Sequence, residues 1–377
     1  MAVAVPYDTA MTPLSRLSRH PRLRQGVRRL SEVMPIGGRT LRRLARAADG
    51  SVRDRDRGVR GHAAGAGGAA GSNARAAPPP SSFRIQPPPP SIRGPFADPP
   101  DVADPGRFVR SVAARTAPLP AFDIDLFEAL NTEYASHPLV PEPTRRDSSS
   151  RSERARRRLE TVHESIGLTD QRVLEFGCGA GFEVWYLDHW FGADAVGVDV
   201  VEKTAWASLT GPRTRLVLAD LATQQPFEAD SFDRIISFSV FEHVAHPYAA
   251  LTELYRIMKP GGLAWISANL HRGPRASHQY RHVYFPFPHL LFEDDVFAEF
   301  FARHDLPGHG ASWVNRLTWA EYEHHFERLG FHIRALRFTD TDLDEAFYTR
   351  FEDILGRYPR WDLTRDFFQV VLEKPAD

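Results

Sequence analysis

The stretch from Val173 to Glu183 reads VLEFGCGAGFE: an apolar run, a carboxylate, glycines at 177, 179 and 181, and a second carboxylate. Glycines spaced like this after an apolar run normally open a nucleotide site, where backbone amides and a helix N-terminus meet phosphate. Two features oppose phosphate here. The third glycine comes one step too early for G-x-G-x-x-G, with Phe182 where that pattern needs glycine. Glu175 stands two residues before the first glycine, where its charge repels a pyrophosphate and attracts a cation.

A ligand with an adenosine end and an ammonium or sulfonium end removes the contradiction, and S-adenosylmethionine has both. With VLEFGCGAG stand GVD, LADL, DSFDRIISFSVFEHV and IMKPGGLAWIS, in that order. Together they resemble a class I S-adenosylmethionine-dependent methyltransferase of the type 11 kind, over the span Leu168 to Lys374. The resemblance implies S-adenosylmethionine as cofactor, held by residues that can be named. Glu175 answers the positive charge, and Gly177, Gly179 and Gly181 let the backbone approach the methionine part. Asp199, at the end of the second strand with Val200 beside it, accepts from the ribose hydroxyls. Asp220 and Leu221 meet the adenine, and the Phe238 carbonyl helps hold the amino group. Singly, these residues are also what a tight turn or a helix cap would use; their order and spacing carry the reading.

Methyl transfer from a sulfonium is an in-line displacement, so most of its acceleration comes from alignment. A hydroxyl or protonated amine acceptor must also lose a proton, which suits histidine near neutral pH. His243, in FEHV, is placed by the resemblance beside the methyl-donating end and is the first catalytic candidate; the alternative is that it lines the site without moving a proton. Glu242 adjoins it, but relatives that bind a metal with a Glu-His pair add a Glu three residues earlier, where this chain has Ser239, so no metal is expected. The segment from His271 to Phe301 holds four His and eight Tyr or Phe. It makes His271 the second catalytic candidate, with His278, His282, Tyr280, Arg272 and Arg281 as acceptor contacts. Its alternative is a packed insertion with surface histidines. Cys178 reads as small buried packing, since nothing nearby would stabilise a thiolate.

The fourth strand is followed by no N/D-P-P-Y-like run of amide or adenine N-methylation, and no Pro-Cys nucleophile exists. What remains is a small-molecule acceptor, oxygen or nitrogen, such as a sugar-containing or secondary metabolite. Two other classes compete. A nicotinamide oxidoreductase is disfavoured by Glu175 and Phe182, and a catalytically inert cofactor-binding or scaffold protein would be recruited by its basic tail.

The elements that must position these residues alternate. RVLEF, AVGVD, TRLVLA, DRIISFS and LAWISA read as strands with helix-spaced segments between them, and FHIRALRF and DFFQVVLEK as two more. The alternation predicts an α/β, doubly wound, mostly parallel, Rossmann-like seven-stranded sheet with its ligand at the strands' carboxyl ends. KPGG is expected to close the helix after the fourth strand, and Thr318 with Glu321 to box the helix that follows. Ahead of the sheet, Ile124, Phe127, Leu130 and Tyr134 share one helical face, as do Ala155, Leu159, Val162 and Ile166. The organisation read from this is a disordered extension over 1–104, a helical N-terminal cap over 105–167, and a methyltransferase domain over 168–377 with a lid insertion at 271–317.

The extension differs in kind. The first 93 residues carry 17 Arg and 5 acidic residues, whereas the net charge of the whole chain is −1. The folded part is therefore net acidic, which works against a nucleic-acid partner. One cysteine among 377 residues excludes an internal disulfide framework and fits a reducing, cytoplasmic setting. No apolar run approaches the ~20 residues a bilayer-spanning helix needs.

Overall fold

A computed structural model of the chain describes residues 111–113, 118–143, 147–209, 211–307 and 315–376. The extension read over 1–104 lies outside the described residues. The strands are β1 (Arg172–Phe176), β2 (Asp194–Asp199), β3 (Thr214–Leu218), β4 (Phe232–Phe238), β5 (Met258–Asn269), β6 (His332–Asp340) and β7 (Arg365–Glu373). They form one sheet in the order β3-β2-β1-β4-β5-β7-β6. The first five run parallel, and β7 inserts antiparallel between β5 and β6. Because β1 pairs with both β2 and β4, the chain leaves it in opposite directions, and a crevice opens at its carboxyl end.

Side-chain alternation along β1 explains both layers. Leu174 and Phe176 enter the core on one face of the sheet, and Val173 enters the core on the other. Glu175 shares a face with Val173, so a carboxylate occupies a slot where alternation calls for an apolar residue. On the Val173 face lie α2 (Ser148–Ile166), which follows α1 (Ile124–Tyr134) in sequence, and α3 (Phe182–Phe191); Leu159, Val162, Val184 and Leu187 of α2 and α3 are fully buried. The other face is covered by α4 (Pro247–Ile257) and α7 (Trp319–Leu329). Asp147 caps the start of α2 through the Ser150 amide, and Gly167, at φ 64, ends that helix.

The helical segment before α2 belongs elsewhere. In α1 (Ile124–Tyr134) the four face residues are buried as spaced, but their partners are the insertion after β5 and the segment before β7. Phe127 packs edge-on to Phe285, Phe292 and Phe297 at 5.2, 4.9 and 5.2 Å between ring centroids. That insertion contains α5 (Pro288–Leu291) and α6 (Asp294–Arg303); the segment before β7 contains α8 (Glu345–Arg350), α9 (Glu352–Leu355) and α10 (Arg360–Leu363). Two buried ion pairs, Arg272 with Asp362 and Arg275 with Asp366, fasten the root of the insertion to α10 and β7.

KPGG departs from expectation. The helix ends at Ile257 and β5 begins at once with Met258, which pairs with Phe232. Pairing shifts register before Arg234 meets Leu263, and Gly261 takes φ 73 while its amide bonds to the Lys374 carbonyl. The two glycines form an irregularity inside the strand pairing rather than a helix stop. The capping box at α7 forms as read, with the Thr318 amide donating to Glu321 Oε2 at 3.0 Å.

Candidate active site

The crevice at the carboxyl ends of β1, β2 and β4 is a cavity of about 750 Å³. The glycine turn forms its floor and is fixed from both sides. The amides of Gly177 and Cys178 donate to the Val198 carbonyl at 2.8 and 3.1 Å, and Trp206 Nε1 donates to the Gly179 carbonyl at 2.8 Å. At Gly177 a Cβ would stand 2.2 Å from Val240 Cγ2, so this glycine is required by packing within the protein. Gly179 differs. It takes φ 51 and lines the cavity, and a Cβ there would meet nothing within 4 Å, which leaves its face open to a ligand. Gly181 caps α3 at φ 82 and does not line the cavity.

Glu175 lines the cavity while 3% exposed. Its Oε2 has no hydrogen-bond partner among the described residues. Burial pushes its carboxyl well above the ordinary range, the charges of Glu183 and Asp199 push the same way, and Arg158 opposes them. A buried, under-satisfied carboxyl beside open space is costly unless something cationic completes it. Asp199 anchors the next wall: Oδ2 accepts from the Gly179 amide at 2.8 Å and Oδ1 from the Val201 amide at 3.0 Å. Each oxygen has a second lone pair for a ligand hydroxyl. Val200, 61% exposed, offers an apolar wall beside it, and Asp220 faces the same cavity from the end of β3 with Oδ1 on the Ala222 amide at 2.9 Å. Leu221 lies in the core and does not line the cavity.

Phe238 closes the β4 side with the Arg158 guanidinium 4.9 Å over its ring. Arg158 also pairs with Glu183 at 3.1 Å. Arg151 and Arg154 line the same cavity. These three arginines recur at intervals of three and four along α2, one helical stripe that the sequence displays. The apolar face of that helix faces the core, and the basic stripe beside it, equally periodic in the sequence, faces the cavity.

Of the two catalytic candidates, the structure brings only His243 to the cavity. It sits in a 3₁₀ turn, Phe241–His243, directly after β4. His271 lies off the cavity; its amide bonds to the Leu317 carbonyl, and its own carbonyl accepts from His289 Nε2 at 2.6 Å. The acceptor contacts read from the insertion are likewise absent from the cavity wall. Arg272 is committed to Asp362, Tyr280 is buried, and the His282 ring packs against Phe301 at 5.8 Å. The His278 ring lies 5.1 Å from that of His243. Burial lowers His278 to about 3 and His289 to about 4, so both are neutral imidazoles. The reason is topological: the insertion leaves β5 and is pulled toward β7 by its two ion pairs, away from the crevice beside β1. Cys178 is buried as read, and burial pushes its thiol well above the ordinary range.

Residues 174–266 match the family model described as methyltransferase domain. That span runs from β1 into β5, so the likeness to a methyltransferase domain covers the parallel part of the sheet. The ubiquinone biosynthesis O-methyltransferase of Dechloromonas aromatica is 31% identical over 130 residues, covering 32% of this chain and 53% of the relative. Tocopherol O-methyltransferase of Arabidopsis thaliana is 30% identical over 139 residues, covering 31% of this chain and 40% of the relative. The chain thus spans about half the length of the curated relatives it matches. Among solved structures, an S-adenosylmethionine-dependent methyltransferase from Mesorhizobium loti is 19% identical with a TM-score of 0.37, covering 55% of this chain and 92% of that one. The residues present fit S-adenosylmethionine: the under-satisfied Glu175 would meet its positive charge, the open face of Gly179 would leave it room, and Asp199 has acceptors to spare.

Proposed function

We propose that this chain transfers a methyl group from S-adenosylmethionine to an oxygen or nitrogen of a small molecule. The observation that carries the reading is Glu175: a carboxyl buried at the head of a glycine turn, with one oxygen unanswered and open space beside it. Bound S-adenosylmethionine supplies an electrophilic methyl on a positively charged sulfur. The chain's residues do the rest. Glu175 favours the cationic end, Asp199 orients the ribose, and Val200 and Asp220 flank the adenine. Phe238, at the end of β4, borders the amino-acid end, and the α2 arginines supply a counter-charge for its carboxylate. His243 takes the proton of an acceptor hydroxyl as the new bond forms, or that of an ammonium before its nitrogen attacks. The O-methyltransferase names of the curated relatives favour oxygen as the acceptor atom.

Isothermal titration of S-adenosylmethionine into the full chain tests the first half of this reading. Binding by the unmutated protein, weakened by Glu175→Gln, is the expected result; absence of binding to the unmutated protein overturns it. Mass spectrometry of a metabolite extract incubated with isotope-labelled donor tests the second half. One metabolite should gain a labelled methyl in place of a proton. An inert binding protein would bind the donor and label nothing.

A further inference from the structure

The turn that presents His243 is held from outside as well as from within. Its own bonds are His243 N–H to the Val240 carbonyl at 2.8 Å and Val244 N–H to the Phe241 carbonyl at 3.2 Å. A 3₁₀ turn of three residues leaves the Glu242 carbonyl pointing outward and the Phe241 carbonyl with a second lone pair, and both take donors from outside the turn. Both donors belong to one residue. Asn315 lies 72 positions further along the chain, just before α7. Its Nδ2 donates to the Phe241 carbonyl at 2.6 Å, and its backbone amide donates to the Glu242 carbonyl at 2.7 Å. Nδ2 also stands 3.4 Å from the Val244 carbonyl. The side chain is itself held, since Oδ1 accepts from the Leu317 amide at 3.1 Å. On the flank of the turn, the His278 ring packs edge-on against His243.

We propose that Asn315 is a positioning residue for His243, so that the insertion after β5 serves the reaction by bracing the turn after β4. This rests on His243 acting at the acceptor, as read above. The histidines and arginines of the insertion, which its composition singles out, are then scaffold, and an unremarked amide makes the connection to the site. The dependence is steep in principle, because a displacement of ~1 Å in a catalytic group can cost ~10²-fold in rate.

The experiment compares the full-length protein with N315A, N315D and H243Q. Asn→Asp keeps the volume and Oδ1 but turns an oxygen on the Phe241 carbonyl, so it separates hydrogen bonding from packing. With catechol as the acceptor probe and saturating donor, N315A and N315D should each lower kcat about tenfold or more. The dissociation constant for S-adenosylmethionine should stay within about twofold, and the loss should vanish in the H243Q background. An unchanged kcat, a harmless N315D, or a defect that adds in full to H243Q overturns the proposal. A second readout needs no acceptor. In N315D, amide exchange should rise about tenfold at His243 and Val244, and the His243 ring signals should shift while those of His289 stay. Unaltered His243 signals overturn the proposal even if no acceptor is methylated, a result that by itself would strike only the reading of the reaction.

Discussion

A single side chain, Glu175, decides what this crevice can hold. Burial holds its carboxyl well above the ordinary range, while a cation beside it favours the ionised form. The sign of the coupling follows: donor binding releases a proton, and affinity rises with pH up to the raised value of the free protein. Titration of donor in two buffers of different ionisation enthalpy should show that release, and Glu175→Gln should abolish it while weakening binding by about 30-fold or more. Asp199→Ala should weaken binding about tenfold through the lost ribose contacts, and it also unfastens the Gly179 amide. For His243→Gln, kcat should fall by about 10²-fold or more with donor affinity unchanged, and a pre-steady-state assay would report it. At this scale the sequence was most informative where charge contradicts pattern. Glu175 was visible for that reason. His271 was misplaced because a histidine-rich run says nothing about which side of a crevice it will face, and only the ion pairs at its root settle that.

Among the elements, what holds the insertion matters more than what composes it. Arg272 and Asp362 are both almost wholly buried, and the guanidinium also lies 4.9 Å over the Tyr358 ring and bonds to the Ser111 carbonyl at 3.2 Å. Arg272→Met would strand the Asp362 carboxylate, and breaking a buried pair from one side costs ~3–5 kcal/mol. Urea unfolding should register that loss, and Arg272→Met with Asp362→Leu together should recover much of it, since an apolar pair of similar volume leaves no charge unpaired. The strands themselves were legible because β-branched runs alternate with helical spacing from Arg172 onward. The early start of β5 was not, because Pro260 and two glycines look like a stop; only the facing residue Phe232 and the Lys374 carbonyl make them part of a ladder. The partner of α1 was equally hidden, since an amphipathic face shows that something covers it and never what.

The described residues form three apolar cores, one on each face of the sheet and a third, rich in phenylalanine, between α1, the insertion and the segment before β7. At the edge of the first core, in the turn that carries His243, lies Glu242, 2% exposed, whose carboxyl oxygens have no well-formed hydrogen bond among the described residues and only loosely directed backbone amides nearby. Burial pushes it up to about 8, and the backbone amides of Glu242 itself and Asn269 offset this only in part. An acid raised in the folded state and ordinary in the unfolded state binds its proton more tightly when folded. Between the ordinary carboxylate range and about 8 the folded protein therefore holds a proton that the unfolded chain has lost, and stability declines as pH rises through that window. Glu242→Gln removes the titration, so the fall in Tm between pH 5 and pH 8 should flatten, by ~2–4 °C for each kcal/mol removed. Scanning calorimetry on both proteins, with and without S-adenosylmethionine, separates this from Glu175, whose parallel contribution the donor should suppress. Equal slopes for the two proteins would mean that the carboxylate of Glu242 finds partners when it ionises, and the His243 turn would then be the part that moves to supply them.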